Sequence, residues 1–181
     1  MKVIKIFFKD CYVFSVDKFL DKRGEFSEIF NEITIKNNFK KKFHCKQINY
    51  VFSKKNTLRG IHLQKKPKSQ MKIVRVIDGE ILDVIVDLRK KSNSFGKYKK
   101  IILSSKNNRQ IFVPCGFGHG YLTLSKTAKV IYFCSENYNK NSEVTIDVFD
   151  RDIKINWGNK KLPIISKKDS LGLSLKNFLK T

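Results

Sequence analysis

The sequence predicts an all-β domain whose short strands fold into a sandwich or barrel. Runs of alternating or β-branched residues recur at short intervals along most of the chain, and turn residues fall between them. Many short, evenly spaced strands suit a closed or double-layered β architecture, of which a jelly roll is one form. Only one early stretch, Phe26 to Asn37, reads as a helix.

Taken in order, Val3 to Phe8 is the first strand-like run, and the short helix follows it. Strand patterns then recur at His44 to Phe52, Leu58 to Leu63, Lys72 to Ile77 and Glu80 to Leu88. Asp78-Gly79 between the last two is a hairpin signal, because Asp-Gly suits the primed turns of two-residue hairpins. Further runs lie at Lys100 to Leu103, Gln110 to Val113, Tyr121 to Leu124, Lys129 to Cys134 and Val144 to Val148. Asn93-Ser94-Phe95-Gly96, Lys106-Asn107-Asn108 and Pro114-Cys115-Gly116 supply turns. Leu171 to Leu179 has room for a last amphipathic turn or two. No linker, repeat or low-complexity block interrupts the chain, and its 181 residues suit a single domain over residues 1–181.

Composition narrows the function. A hydrophobic content of 41% with 15 Phe is enough for a packed core. The formal charge of +22 comes from 38 basic against 16 acidic residues. Nucleic-acid binders gather such charge on one face. Here the lysines are dispersed, with small clusters at Lys40-Lys41-Lys42, Lys65-Lys66 and Lys99-Lys100, so no nucleic-acid partner is expected. A solvated basic surface would still attract an anionic substrate. The four cysteines form no C-x-x-C pair, which suits free thiols in a reducing compartment. Lys9 and Asp10 interrupt the only leader-like stretch, and no apolar run approaches a membrane span. A cytoplasmic protein with no membrane partner is the expectation.

Three histidines occur: His44, His62 and His119. His62 follows Arg59-Gly60, and His119 lies within Gly118-His119-Gly120; glycines there permit close approach of backbone or ligand. Either histidine alone is more often structural than catalytic. A metal site is not expected: the position two residues after His62 is Gln64, and His62 with His119 leaves too few imidazoles for a typical zinc or iron site.

Several segments together carry a resemblance. These are Arg59-Gly60-Ile61-His62-Leu63-Gln64, Pro67 to Val74, Asp83 to Arg89 and Ser94-Phe95-Gly96. Val113 to Gly120, Tyr132, Tyr138, Glu143, Ile155-Asn156-Trp157 and Ile165 to Asp169 continue it. Upstream, Asp21 to Glu28 and Gln47-Ile48-Asn49 also fit. In this order and spacing, over roughly residues 12 to 170, the chain resembles the dTDP-4-dehydrorhamnose 3,5-epimerase family. The resemblance implies a cupin-like jelly-roll barrel with a few short peripheral helices. It implies a homodimer working without metal or nicotinamide, so no cofactor. The substrate it implies is a nucleotide-diphosphate 4-keto sugar, of the kind made for surface polysaccharides.

The same resemblance implies residue roles. Protons α to a ketone can be removed if a base is well placed and the enolate is stabilised. His62 is the implied base, an imidazole being suited to proton transfer near neutrality. Asp169 is the implied orienting carboxylate. Lys72 is the implied donor to the enolate oxygen, and Tyr132 the acid on the opposite face. Taken singly, Tyr132 reads as a strand aromatic and Lys72 as a surface lysine; their joint spacing with His62 raises them above that. Arg23, Arg59 and Lys168 match positions near the diphosphate or sugar, where a planar guanidinium can donate two parallel bonds. Glu28, Gln47 and Asn49 match nucleotide or sugar contacts, His119 and Glu143 match further pocket positions, and Phe26 is placed beside the nucleotide or in the core.

The chain departs from the pattern of the family it resembles, which often has Tyr where this chain has Leu63, Ala where it has Gly118, Phe where it has Tyr121 and Lys where it has Phe133. These positions are expected to line or flank the pocket. They leave open a GDP-linked 4-keto heptose, epimerisation at C3 or C5 alone, or a 3,4-ketoisomerase. A nonenzymatic basic nucleic-acid-binding module is the remaining alternative.

Overall fold

The computed structural model describes residues 1–158 and 161–181. The chain runs β1 (Lys2–Phe7), β2 (Cys11–Ser15), β3 (Phe19–Asp21), β4 (Gly24–Phe26), α1 (Glu32–Phe39), β5 (Gln47–Lys54) and β6 (Leu58–Gln64). It continues through β7 (Lys72–Asp78), β8 (Glu80–Asp87), β9 (Tyr98–Ser104), β10 (Arg109–Val113), β11 (Phe117–Thr123) and β12 (Thr127–Cys134). β13 (Glu143–Thr145), α2 (Lys167–Ser170) and α3 (Leu175–Leu179) complete it. Among the described residues the strands form a six-stranded sheet in the order β1-β2-β10-β7-β12-β5, a five-stranded sheet in the order β13-β6-β11-β8-β9, and the small hairpin β3-β4. The fold is the expected all-β jelly-roll barrel of cupin type. No helix of the described residues is long and apolar enough to cross a membrane.

Three apolar layers explain the architecture. Val13, Val74, Val76, Ile111 and Val130 from the larger sheet meet Ile81, Ile85, Leu103 and Tyr121 from the smaller one inside the barrel. The outer face of the larger sheet is covered by Ile35 and Phe39 of α1, packed on Phe14, Phe112 and Phe133. The outer face of the smaller sheet is covered by Trp157, Leu175 and Phe178, packed on Ile61, Val84 and Val86. Each such side chain, fully buried, contributes about 2 kcal/mol.

The structure corrects the sequence expectations in several places. Asp78-Gly79 closes no hairpin. β7 already pairs with β10 and β12 on its two sides, so β8 crosses to the other sheet and pairs with β11 and β9. Gly79 turns this corner at φ +82°, where a Cβ would lie 2.2 Å from the Thr127 carbonyl oxygen. The helix begins at Glu32 rather than near Phe26, because the Asn31 side chain accepts from Thr34 N as an N-cap. Residues 24–26 belong instead to the β3-β4 hairpin, whose turn is set by Asp21 Oδ1 accepting from Arg23 N. β2 escaped the sequence reading because Cys11 and Val13 face inward while Phe14 packs outward, so alternation vanishes. β11 begins at Phe117, earlier than expected, through its glycines; β13 ends at Thr145, earlier than the expected Val148. The C-terminal turns are present as α3, capped by Ser174.

Candidate active site

Strand register gathers polar side chains at one end of the barrel. On the larger sheet, Gln47 pairs with Cys134 and Cys134 with Lys72, and in the next row Asn49 pairs with Tyr132. On the smaller sheet, His62 pairs with both Thr145 and His119, and Gln64 pairs with Glu143. Together Asn49, His62, Lys72, Tyr132, Tyr138 and Glu143 border one narrow polar cleft.

His62 is half-buried in this cleft, and its Nε2 lies 2.7 Å from Asp169 Oδ1. Asp169 sits in the short helix α2 and is buried. The Ser166 side chain caps that helix by accepting from Asp169 N, and Asp169 Oδ2 accepts from Gly60 N at 3.4 Å. Burial alone would raise the Asp169 carboxyl, but the bond from His62 and these smaller contributions hold it below the usual carboxylate range. A carboxylate so held keeps a proton on Nε2 and leaves Nδ1 as the lone-pair nitrogen.

Tyr132 and Lys72 come from adjacent strands of the opposite sheet. Burial, reinforced by Cys134 and Tyr121, pushes the Tyr132 phenol up to about 12, so it remains protonated and has a proton to give. The Lys72 ammonium lies 6.0 Å from the centre of the Tyr132 ring. Burial lowers its pKa, while Cys134, Glu143 and Asp83 oppose that shift.

The lip of the cleft is a tied network. Gln47 Nε2 donates to Asn49 Oδ1 at 2.8 Å, and Gln47 Oε1 accepts from Tyr138 N at 2.7 Å. Glu143 accepts from the Tyr138 hydroxyl at 2.8 Å and pairs with the Lys168 ammonium. Burial would raise the Glu143 carboxyl, yet Lys168 and Tyr138 hold it down. Gln64, which stands where a metal ligand would be sought, donates to the Lys68 and Asn137 carbonyls and accepts from Asn139 N. No group of three His, Cys, Asp or Glu suited to a metal ion occurs among the described residues.

His119 lies beside His62 but deeper, with its Nε2 2.7 Å from Asp83 Oδ2. The flanking glycines let two backbones touch: a Cβ on Gly60 would lie 2.6 Å from Gly120 Cα, and one on Gly120 would lie 2.6 Å from the Arg59 carbonyl oxygen. The β6–β11 register shifts there, between His119 and Tyr121. Asp83 and the exposed Tyr138 are the site residues that sequence reading left without a role. Asp83 had a legible signal: it is a charge at an inward position between Ile81 and Ile85.

Not every expected residue reaches the cleft. Arg59 lies on β6 and, with Asp169, borders a second hollow next to it. Arg23 is 90% exposed at the tip of the β3-β4 hairpin, paired with Asp21, and Glu28 accepts from Asn31 beyond it. Phe26 is exposed on the same hairpin, against Phe19, and is not in the core. Within one chain these three do not join the others. Three of the family departures direct their side-chain space away from the cleft. Phe133 faces the outer layer, stacked on Phe30 at 4.8 Å. Leu63 borders the cleft but packs its side chain outward. A Cβ on Gly118 would lie 2.4 Å from Ile61 Cγ2, also on the outer side. Only Tyr121 points inward, where it is buried.

Comparison with known proteins identifies the family. The family model for dTDP-4-dehydrorhamnose 3,5-epimerase matches residues 5–177. The protein of that name from Salmonella typhimurium is 39% identical over 181 residues, covering 100% of this chain and 99% of its own length. The crystal structure of dTDP-6-deoxy-D-glucose-3,5-epimerase from Legionella pneumophila, in complex with dTDP-4-keto-L-rhamnose, superposes with a TM-score of 0.92 at 32% identity, covering 97% of this chain and 93% of that one. A 3'-monoepimerase from Streptomyces bikiniensis, in complex with dTDP-quinovose, gives a TM-score of 0.91 at 27% identity, covering 99% and 90%. By sequence over nearly its whole length and by the fold that carries the site, this chain belongs to the dTDP-4-dehydrorhamnose 3,5-epimerase family of isomerases.

Proposed function

We propose that this chain inverts C3 and C5 of a dTDP-linked 4-keto-6-deoxyhexose. The observation that carries the reading is the 2.7 Å contact of His62 with Asp169 in a cleft whose other wall holds a protonated Tyr132. His62 Nδ1 takes the proton from the carbon next to the ketone. The electron pair of the broken C–H bond moves into the enolate, whose oxygen accepts from the Lys72 ammonium. Tyr132 then delivers its proton to the same carbon from the opposite face, which inverts it. His62 returns its proton to solvent and Tyr132 regains one before the second carbon is treated. The step needs a base, an acid and an oxyanion donor, and no metal or redox cofactor enters it. Gln47, Asn49, His119, Glu143 and Lys168 hold the sugar and nucleotide, and Arg59 takes the diphosphate.

The working unit in this reading is a homodimer of single-domain chains, in the cytoplasm. Two features support the dimer. Ile48, Tyr50 and Phe52 form an exposed apolar row on β5, the edge strand of its sheet, and Phe19, Leu20 and Phe26 expose another on the hairpin. Arg23 and Glu28 match pocket positions yet lie off the cleft of their own chain, so a second copy is what would present them to it. The four free cysteines suit a reducing compartment.

The test is solvent exchange. In D2O, a dTDP-linked 4-keto-6-deoxyhexose should gain deuterium at C3 and C5, and His62→Ala should abolish both. An unlabelled sugar after incubation with folded wild-type protein sinks the proposal. A second reading, inversion at one carbon, is favoured by the likeness to the 3'-monoepimerase. Label at a single carbon selects it. A parallel run with a GDP-linked 4-keto heptose decides the base and the sugar.

A further inference from the structure

Behind Arg59 lies a buried hydroxyl relay that the proposed chemistry leaves unused. Arg59 Nε donates to Ser53 Oγ at 3.0 Å, and its Nη2 donates to the Phe52 carbonyl at 3.3 Å. Ser53 is buried, and its Oγ lies 3.3 Å from the Tyr121 hydroxyl. Tyr121 itself is buried between the sheets, and burial pushes its phenol up, so it remains a neutral hydroxyl. A serine hydroxyl carries one donor and two acceptor sites. Ser53 therefore accepts from Arg59 and keeps a site for Tyr121.

We propose that the Tyr121 hydroxyl is a positioning group that, through Ser53, fixes the Arg59 guanidinium for the diphosphate of a nucleotide sugar. This rests on the reading of Arg59 as the diphosphate contact. Arg59 is exposed, and a long exposed side chain must lose rotamer freedom when it binds. A relay that anchors Nε and Nη2 beforehand removes part of that cost and leaves Nη1 for the ligand. With Phe at position 121, Ser53 would have Arg59 as its only partner in a dry setting and could turn away from it. The diphosphate makes and breaks no bond when C3 and C5 invert. Anchoring its partner is therefore uniform binding, which acts on KM and not on kcat.

The experiment titrates dTDP by calorimetry into wild type, Tyr121→Phe, Arg59→Lys and the double variant, with steady-state kinetics alongside. Tyr121→Phe should weaken dTDP about three- to tenfold, raise KM by the same factor and leave kcat within about twofold. Arg59→Lys lacks the Nε–H, so adding Tyr121→Phe to it should change dTDP affinity no further. Equal affinity of Tyr121→Phe and wild type overturns the proposal, as does the same weakening in both backgrounds, which would mark a general disturbance of the barrel. Wild-type protein that does not bind dTDP overturns the diphosphate reading of Arg59 on which the proposal stands.

Discussion

Two histidine–aspartate pairs stand next to each other on β6 and β11, and one is far more open to water than the other. In both, Nε2 meets a carboxylate oxygen at 2.7 Å, and His62 and His119 are cross-strand partners. The His62 side chain is 28% exposed and that of His119 is 9% exposed, while both aspartates are buried. The partners also differ in origin. Asp83 lies on β8, the strand next to His119, whereas Asp169 arrives from α2, which packs on β6 from the far end of the chain. Identical contacts therefore serve different ends. An imidazole open to the cleft can exchange protons with a ligand; a largely buried imidazole, held by a carboxylate inside the barrel, is suited to holding a ligand in position.

Substitutions on the two pairs test that contrast. The largest effect is expected from His62→Ala, which should lower turnover by about 10³-fold, read by deuterium exchange. Asp169→Asn keeps the shape but loses the charge that orients His62, and a fall on the order of 10²-fold is expected, read as kcat. Asp83→Asn should behave otherwise. Its thermal unfolding should show a loss of about 1–3 kcal/mol, because a fully buried hydrogen-bonded charge is disturbed, with kcat falling less than in Asp169→Asn. If Asp83→Asn costs as much turnover as Asp169→Asn at wild-type stability, the contrast fails. The smallest effect concerns acid. Asp169 has its carboxyl held below the ordinary value of 3.8 in the fold. Its stabilisation is then complete above that value and is lost as pH falls through the lower folded one. Unfolding midpoints of Asp169→Asn should begin to approach wild type as pH falls below about 4 and meet it only below the folded value.

The barrel was legible where one face of a strand is wet. β5 alternates half-buried Gln47, Asn49 and Val51 with exposed Ile48, Tyr50 and Phe52, and its span was nearly found. It was illegible where both faces are dry, as in β2, or where glycines mimic a loop, as in β11. The Asp78-Gly79 reading failed for a different reason. A dipeptide fixes local backbone direction, but which strands pair is decided by which edges remain free. At the site, the family resemblance implied His62, Asp169, Lys72 and Tyr132, and the fold brings these four together. Spacing carries no inside or outside, so Phe133, Leu63 and Gly118 were assigned to the pocket although their side-chain space lies in the outer layer.

The 107 positions separating His62 from Asp169 have a consequence for synthesis. Translation lays down the barrel strands first, His62 among them, and α2 comes after the last of them. The imidazole is therefore made well before the carboxylate that orients it, and α2 must pack on β6 for the pair to form. The contact depends on the same C-terminal segment whose Leu175 and Phe178 cover the smaller sheet, so completing the core and completing the histidine–aspartate pair are one late event in the making of the chain.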